Sequence, residues 1–229
     1  MVKSYVIRTG HYTLAQKKAY DSLYDKYLIP VSSDGTVDDC FTEKDKLDFK
    51  KIFNNSDNVT VEIGFGSGAA TAEIAQANPC NNYLGIEVHR PGIGRLLWEI
   101  EKQNLSNIRI IEYDAAFAAE KMIADNSLNA IHIFFPDPWP KKRHRKRRLV
   151  QRPFTEILAN CLKPGGYLYM VTDWEDYANH ALEELAGTLY LRNKYDGFAS
   201  PQLWRPKTRF EQKGLDKNHV IRELLFIKE

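Results

Sequence analysis

The sequence predicts an α/β fold with a doubly wound, mostly parallel sheet and helices on both faces. From residue 58 onward, short apolar strands alternate with amphipathic helices, which implies crossover connections between parallel strands. The 229 residues are 43% hydrophobic and can bury one sizeable core, so we expect a single domain over residues 1–229. Glycines and acidic residues follow the predicted strands, at the sheet edge where such folds bind ligands.

The individual elements follow from the hydrophobic periodicity. Strands are predicted near 59–63, 82–87, 107–112, 129–135 and 166–172, with a late strand over 219–227 that we expect to run antiparallel. Helices are predicted near 68–77, 92–103, 115–123, 150–161 and 175–186. Residues 1–40 are predicted to form a basic, tyrosine-rich extension, with a helix over Leu14–Tyr27 followed by a loop.

Composition narrows the class of protein. The longest apolar stretches, such as Ile131–Phe135, are too short to span a membrane, and the first residues lack the pattern of a secretory signal. The three cysteines are far apart, which indicates a reducing cytoplasm and neither a disulfide framework nor a zinc site. The histidines show no metal-binding spacing, so we expect no metal. The oligomeric state, monomer or homodimer, stays open.

The positive charge of the chain is concentrated in one place. The net charge is +2, but residues 141–148 (KKRHRKRR) supply seven of the 32 basic residues. The remainder then has 25 basic against 30 acidic residues, a net charge of −5. A local basic cluster on an acidic body predicts that a polyanion docks at that place.

Acidic residues occur at or just after the ends of five predicted strands, at intervals of 23 to 36 residues. They are Glu62, Glu87, Asp114, Asp137 and Asp173. Each one alone is typical of a helix cap or a solvated turn, and Asp114 is the best candidate for a cap. Because the carboxyl ends of parallel strands meet at one edge, the five together predict an acidic pocket for a cationic or hydroxyl-rich ligand.

The loop EIGFGSGAA after the first strand carries Gly64, Gly66 and Gly68, which allow a tight turn and a close approach of backbone to ligand. The loop is not a P-loop, because no G-K-[ST] follows it. Together with Ala69, two of the glycines also satisfy the G-x-G-x-x-A pattern of a dinucleotide site.

Charge separates the two ligands that fit this loop. A dianionic pyrophosphate would be repelled by Glu62, whereas the sulfonium and ammonium groups of S-adenosylmethionine would be attracted. S-Adenosylmethionine is therefore favoured over a nicotinamide dinucleotide. Glu87 could accept hydrogen bonds from the ribose hydroxyls, and Asp114 could accept one from the adenine amine.

The stretch FFPDPWP holds Asp137 between Pro136 and Pro138, which restrict the backbone on both sides. We interpret Asp137 as a preorganised carboxylate that contacts a purine edge, with Trp139 shaping the base pocket. The alternative is a stiff turn in which Trp139 only packs. Asp-Pro-aromatic also resembles the motif of methyltransferases that act on exocyclic amines of adenine or cytosine, so the motif does not fix the target atom.

The basic run 141–148 follows this turn directly. We interpret it as a phosphate-binding segment, because guanidinium groups suit phosphate oxygens. The alternatives are a solvated start of a basic helix or a localisation signal.

Five stretches together resemble the bacterial tRNA (guanine-N7)-methyltransferases: EIGFGSG, GIEVHRPGIG, FFPDPWPKKRHRKRRLVQRPF, TDWEDYA and TRFEQKG. The resemblance runs from about residue 5 to the end of the chain. It implies a class I, Rossmann-like methyltransferase fold with a seven-stranded sheet. It also implies methyl transfer from S-adenosylmethionine to N7 of the variable-loop guanosine of tRNA.

The resemblance also implies residue roles. Donor-site residues would be Glu62, Glu87, Asp114 and Asp137, besides the glycines of the loop, and Asp137 would be catalytic. Substrate-binding residues would be Lys141, Asp173, Thr208, Arg209, Phe210 and Glu211, and RNA-binding residues would be Arg143, His144, Arg145, Lys146, Arg147 and Arg148. Without the resemblance, Asp173 is equally typical of a helix cap and Glu211 of a surface residue.

Two alternatives to this function stay open at the level of sequence. One is an exocyclic-amine methyltransferase acting on RNA or DNA. The other is a non-catalytic RNA-binding module that has lost its donor site, although the intact glycine loop, Glu87 and Asp137 argue against it.

Overall fold

The computed structural model describes residues 4–5, 13–31 and 46–229. The rest of the predicted N-terminal extension lies outside the described residues.

Helices and strands alternate over most of this length. The helices are α1 (Leu14–Tyr27), α2 (Phe49–Phe53), α3 (Ala69–Ala77), α4 (Arg90–Gln103), the single turn α5 (Ala115–Phe117), α6 (Phe154–Cys161), α7 (Glu175–Ala186) and α8 (Arg209–Leu215). A π-helical turn covers Ala118–Met122 and a 3₁₀ helix covers Lys142–Arg147. The strands are β1 (Asn58–Ile63), β2 (Asn81–Ile86), β3 (Ile108–Ile111), β4 (Leu128–Phe134), β5 (Leu162–Thr172), β6 (Leu191–Asn193) and β7 (Arg222–Lys228).

The strands form one seven-stranded sheet in the order β3-β2-β1-β4-β5-β7-β6. The pairs β1–β2, β2–β3 and β4–β5 are parallel, and β7 runs antiparallel to β5 and β6. The predicted α/β class with a mostly parallel sheet is confirmed, as is the antiparallel late strand. The chain divides into two compact units: a first unit, Ile7–Ala124, and a second unit, Asp125–Glu229 with Met1–Val6. The single domain stays a prediction.

In the first unit, the apolar residues of the parallel strands and one face of α4 form the core. Along β1 every residue after Asn58 is buried, as expected of a strand covered on both faces. Helix α4 buries Ile93, Leu96, Leu97 and Ile100, which lie one turn apart on a single face.

Helix α1 is confirmed and is built into the first unit. A reciprocal capping box between Thr13 and Gln16 starts it. At its end, the Tyr27 hydroxyl donates to the Leu105 carbonyl oxygen at 3.1 Å. The next residues continue alongside β3, where the Ile29 amide donates to the Ile110 carbonyl oxygen at 2.8 Å. The described part of the extension is therefore packed structure.

Two predicted helices differ in form. The helix predicted over 150–161 begins only at Phe154, after Pro153, because proline is tolerated at the start of a helix and not within it. The segment predicted as a helix over 115–123 is a single α-turn followed by the π-helical turn. The predictions for α3, α4 and α7 are confirmed to within two residues. Helices α2 and α8 and strand β6 were not predicted, since each is too short to show a period.

In the ranges that the structure describes, no helix is both long and apolar enough to cross a membrane. Cys80 is exposed and Cys161 is buried.

Candidate active site

In the first unit, the glycine loop between β1 and α3 presents open backbone. Gly64 and Gly66 have φ values of +72° and +57°, in the left-handed region that favours glycine. A Cβ at either position would meet no atom of the described residues within 4 Å, so that part of the chain leaves open space in front of both. The Gly64 amide donates to the Ile86 carbonyl oxygen at 2.8 Å, which fixes the turn against β2. A ligand can approach this backbone closely.

The other side of the loop is closed by α4. A Cβ on Gly92 would lie 1.9 Å from the Gly66 carbonyl oxygen, so only glycine allows α4 to begin here. Gly68 is the N-cap residue of α3, and a Cβ there would lie 2.6 Å from the Leu96 Cβ. The predicted role of Gly68 thus includes packing, and Gly92 is a site-forming residue that we did not predict. The only signal for Gly92 was its place in RPGIG.

Glu62 is a buried acid beside this loop. Its side chain is on β1, and its Oε2 accepts a hydrogen bond of 2.8 Å from the Thr71 hydroxyl. Burial raises the pKa of Glu62 to about 7; the Thr71 hydrogen bond opposes the rise and the charge of Glu87 adds to it. No basic side chain pairs with Glu62 among the residues that the structure describes. A buried carboxyl without a cation suits a cationic ligand group.

Glu87 holds the glycine loop to the end of β2. Its Oε2 accepts from the Gly66 amide at 2.8 Å, and its Oε1 accepts from the amides of Val88 and His89 at 2.7 and 3.0 Å. Oε1 already accepts two hydrogen bonds, but Oε2 accepts only one of these and so keeps capacity for a hydroxyl donor.

Asp114 is the N-cap of α5, because its Oδ1 accepts from the Phe117 amide at 3.0 Å. The capping alternative for Asp114 is therefore confirmed. Its predicted contact with an adenine amine stays a prediction.

In the second unit, Asp137 lies exposed in a constrained turn after β4. Besides the prolines on either side, Phe135 and Trp139 have φ values of +49° and +44°. Bulky residues rarely adopt this conformation, and they keep it only where the surroundings determine it. Within the described ranges the Asp137 carboxylate has no hydrogen-bond or ion-pair partner. The turn thus holds a carboxylate that remains available to a ligand.

Trp139 packs beside the basic segment, residues 141–148. Its Nε1 donates to the Ser4 carbonyl oxygen at 2.9 Å, and the Arg147 guanidinium lies 4.3 Å from its ring centroid. The His144 ring meets it edge-on. These contacts favour the packing interpretation of Trp139 over that of a base-pocket wall.

The basic segment is a 3₁₀ helix with a mostly exposed cationic surface. Lys141, Lys142, Arg143, Arg145 and Lys146 are exposed, and Arg145 also donates to Asp176 Oδ1 at 2.8 Å. Arg148 is different, because it is only 2% exposed and its guanidinium points into the second unit. Each of its three guanidinium nitrogens donates to an internal acceptor, which counts against the predicted contact of Arg148 with RNA; that contact stays a prediction.

Asp173 lies just after β5 and pairs with His219. The distance from His219 Nδ1 to Asp173 Oδ2 is 2.9 Å. A Cβ on Gly214 would lie 2.9 Å from the same oxygen, so α8 packs closely against Asp173. The N-cap of α7 is Trp174, so the capping alternative for Asp173 is wrong. His219 is 46 residues away along the chain, and no sequence signal linked the two.

Thr208 and Glu211 form a capping box at the start of α8. The Glu211 amide donates to the Thr208 hydroxyl at 3.1 Å, and the Glu211 carboxylate accepts back from the Thr208 amide. Glu211 is buried, so the surface alternative is wrong. The intervening Arg209 and Phe210 are exposed.

From the sequence we assigned no role to Arg205, whose side chain forms ion pairs with two buried acids of the second unit, Glu211 and Glu223. Its two terminal nitrogens donate to the two Glu211 oxygens at 2.5 and 2.9 Å, and one also donates to Glu223 at 2.9 Å. Tyr169 donates to Glu223 at 2.5 Å and accepts from Arg205 Nε at 3.1 Å. One guanidinium thus faces two buried carboxylates. A contact of Glu211 with substrate stays a prediction.

Among the described residues, no group of three or more His, Cys, Asp or Glu side chains is placed to hold a metal ion.

The fold is that of the class I methyltransferases. The 16S rRNA methyltransferase KamB matches with a TM-score of 0.59 at 13% identity, over 82% of this chain and 95% of that one. A solved structure described as an antibiotic-related methyltransferase matches with a TM-score of 0.52 at 19% identity, over 85% and 96%. Likeness at this identity shows the fold alone.

Sequence comparison gives the particular family. A family model described as "Putative methyltransferase" matches residues 56–224. The tRNA (guanine-N(7)-)-methyltransferase of Nitrosomonas eutropha is 46% identical over 227 residues, which cover 99% of this chain and 96% of the relative. That of Francisella tularensis subsp. novicida is also 46% identical, over 99% and 95%. The chain belongs to the tRNA (guanine-N7)-methyltransferase family, and it is an enzyme.

Proposed function

We propose that the protein transfers the methyl group of S-adenosylmethionine to N7 of the variable-loop guanosine of tRNA. The observation that carries the proposal is near-full-length identity of about 45% to tRNA (guanine-N(7)-)-methyltransferases from several bacteria. A tRNA substrate also agrees with a cytoplasmic location.

The first unit carries the residues that fit the methyl donor. Open backbone at Gly64 and Gly66 allows close approach, and Glu62 offers a buried carboxyl that pairs with no basic side chain in the described ranges. The donor has a sulfonium, an ammonium and ribose hydroxyls, which match Glu62 and the remaining lone pair of Glu87 Oε2. Asp114 would accept from the adenine amine. A dinucleotide pyrophosphate would instead meet these acids with like charge.

The reaction needs alignment more than proton transfer. Guanine N7 has an in-plane lone pair and no proton, so no strong general base is required. The bound donor supplies an electrophilic methyl group on sulfonium. As the N–C bond forms and the C–S bond breaks, positive charge moves onto the purine. Alignment of two bound reactants can lower a barrier by about 7–11 kcal/mol.

Asp137 is the residue we assign to the acceptor guanine. Its carboxylate is held by the constrained turn and can stabilise the positive charge that develops on the purine. It can also accept a hydrogen bond from guanine N1–H or the 2-amino group and so orient N7. Asp173 is proposed as a second contact with the guanine edge, positioned by His219.

The rest of the substrate is proposed to lie on exposed groups of the second unit. Lys141, Lys142, Arg143 and Lys146 would neutralise phosphates of the tRNA. Arg209 and Phe210 at the start of α8 are exposed and fit a phosphate and a base. Thr208 and Glu211 would then act by positioning these two residues, besides any direct contact.

The function is tested by methylating unmodified bulk tRNA with labelled S-adenosylmethionine and analysing the nucleosides. We expect 7-methylguanosine, which releases its base after mild reduction and aniline treatment. The matched control is a tRNA transcript with adenosine in place of the variable-loop guanosine, which should remain unlabelled. Labelled N6-methyladenosine would support the exocyclic-amine alternative. Binding of tRNA without any binding of S-adenosylmethionine would contradict the proposed donor site at the glycine loop and Glu62.

Donor binding should depend on pH through Glu62. Because the pKa of Glu62 is raised to about 7 by burial, the group is mostly protonated at pH 6 and mostly ionised at pH 8. If only the ionised form attracts the cationic donor, affinity should rise about tenfold over this interval. Calorimetry at several pH values measures it. Glu62→Gln should bind more weakly and show no such rise.

The control for this experiment is Glu73→Gln, since Glu73 is exposed on α3 in the same unit. It should keep the full pH dependence. An unchanged rise in Glu62→Gln would show that another group is responsible. The raised pKa also predicts that the unliganded protein loses stability as pH rises from about 4.5 to about 7, because the folded state holds this proton more tightly.

A further inference from the structure

Arg148 makes an unusual set of contacts for a residue at the end of a basic run. Its side chain is 1% exposed. The Nε atom donates to the Pro138 carbonyl oxygen at 3.1 Å, and Nη2 donates to Asp176 Oδ2. Its guanidinium also lies over the Tyr177 ring, 5.0 Å from the centroid. One planar group thus spans a backbone carbonyl, a carboxylate and an aromatic face.

These contacts join the segments that carry the proposed acceptor residues. Pro138 follows Asp137 directly, so the carbonyl that Arg148 holds belongs to the turn of the catalytic carboxylate. Asp176 lies in the first turn of α7, three residues after Asp173. Tyr177 is also tied to the segment after Arg148, because its hydroxyl accepts from the Val150 amide at 3.0 Å.

The charges around Arg148 explain why a cation can be buried there. Asp176 accepts from both Arg145 and Arg148, and the hydrogen bond from Arg148 is the main cause of its lowered pKa. Lysine could keep the ion pair with Asp176 but could not replace the planar guanidinium, because all its N–H donors are on one nitrogen atom. The site therefore uses the shape of arginine as well as its charge.

We infer that Arg148 is a positioning residue, whose guanidinium fixes the turn of Asp137 relative to α7 and does not contact phosphate. The inference rests on the proposed function for the role of Asp137. The Asp137 side chain is exposed and has no partner among the described residues. Contacts made by neighbouring residues must therefore hold the backbone around it in place. Among the described residues, the Arg148 side chain holds this backbone one residue after Asp137, at the Pro138 carbonyl.

The test is Arg148→Lys, measured by single-turnover methylation at saturating donor and tRNA and by tRNA affinity at several salt concentrations. We expect the rate to fall between about tenfold and a hundredfold, as a small misplacement of a reacting group does. Affinity for tRNA and its salt dependence should stay at the wild-type values. Arg192→Lys, an exposed arginine of the same unit, is the matched control and should behave as wild type.

Arg143→Ala is the comparison for the loss of a phosphate contact. We expect weaker tRNA binding and a dependence of log affinity on log salt concentration that is less steep by about 0.7–0.9. If Arg148→Lys gives that pattern with an unchanged rate, the inference is overturned. If Arg148→Lys fails to fold, Asp176→Asn is the second variant. Its rate should fall several-fold because the guanidinium loses its anchor, and an unchanged rate would again overturn the inference.

Hydrogen exchange at the amides of Asp137 and Trp139 separates this inference from the proposed function. Should the wild type fail to methylate guanine N7, the proposed function fails. The positioning role of Arg148 is then tested only by amide hydrogen exchange. Faster exchange at these amides in Arg148→Lys than in Arg192→Lys supports the positioning role, and equal exchange overturns it.

Discussion

Asp137→Ala should lower the single-turnover rate of methyl transfer about 10²–10³-fold, while the affinity for S-adenosylmethionine changes by only a few-fold. Losses of this size follow when one preorganised polar group is removed from the place where charge develops. The Asp137 turn is preorganised, since prolines and two residues at positive φ surround the carboxylate. Calorimetry for the donor and rapid quench for the rate measure the two quantities separately.

Asp137→Asn distinguishes charge from orientation. It keeps an acceptor oxygen for the guanine edge but loses the negative charge. If the charge is the larger contribution, the asparagine variant should lose nearly as much rate as the alanine variant. Asp196→Ala, an exposed acid of the same unit, is the control and should remain active. Equal losses in donor affinity and in rate for Asp137→Ala would contradict a role in transfer.

Arg205→Met should lower the free energy of unfolding by about 3–5 kcal/mol at pH 7. Removing one partner of a buried ion pair leaves an uncompensated charge, and here it would leave two. The side chains of Arg205, Glu211 and Glu223 are 5%, 7% and 3% exposed. Urea denaturation followed by circular dichroism measures the loss. A difference below about 1 kcal/mol would show that the pairs contribute little, as exposed pairs do.

The loss of unfolding free energy in Arg205→Met should depend on pH. Burial raises the pKa of Glu211, but the hydrogen bonds and charge of Arg205 outweigh burial and hold the pKa below its ordinary 4.5. Glu211 therefore stabilises the wild type above about pH 4.5, and this contribution is lost as pH falls through the lowered value. In Arg205→Met burial acts without the cation, so the deficit should be largest at neutral pH and shrink towards pH 4.

Two further variants show which feature of Arg205 matters. Arg205→Lys keeps the charge and loses the two-pronged contact with Glu211, so it should lose less stability than Arg205→Met. Adding Glu223→Gln to Arg205→Met should recover part of the loss, because one fewer carboxylate is left without a cation. If the double variant is less stable than the single one, the carboxylates are not the source of the loss.

Much of the fold could be predicted because its signals are local. Strand periodicity, the glycine loop and the acids after each strand depend on neighbours a few residues apart. The helix predicted over 150–161 was placed too early, since the apolar pattern continues through a turn that precedes Pro153. Strand β6 has three residues and could not be distinguished from a loop.

Only part of the candidate site could be predicted, again because only local signals are visible in the sequence. Gly64, Gly66 and Asp137 lie in turns whose conformation is set by glycine and proline, so their local geometry could be inferred. The pairing of Asp173 with His219 spans 46 residues and that of Arg205 with Glu223 spans 18. Such pairs form only when distant segments pack, and no pattern in the chain marks them.

The sequence by itself determined the class of fold, the order of its main elements, the acids and glycines that we propose for the donor site, and the place of the basic segment. Only the tertiary structure decided which charges face inward. Arg148 stands in a run of cations that look equivalent, yet a carbonyl, a carboxylate and an aromatic ring surround it. A buried charge is stable only where packing supplies its partners, and those partners come from other parts of the chain.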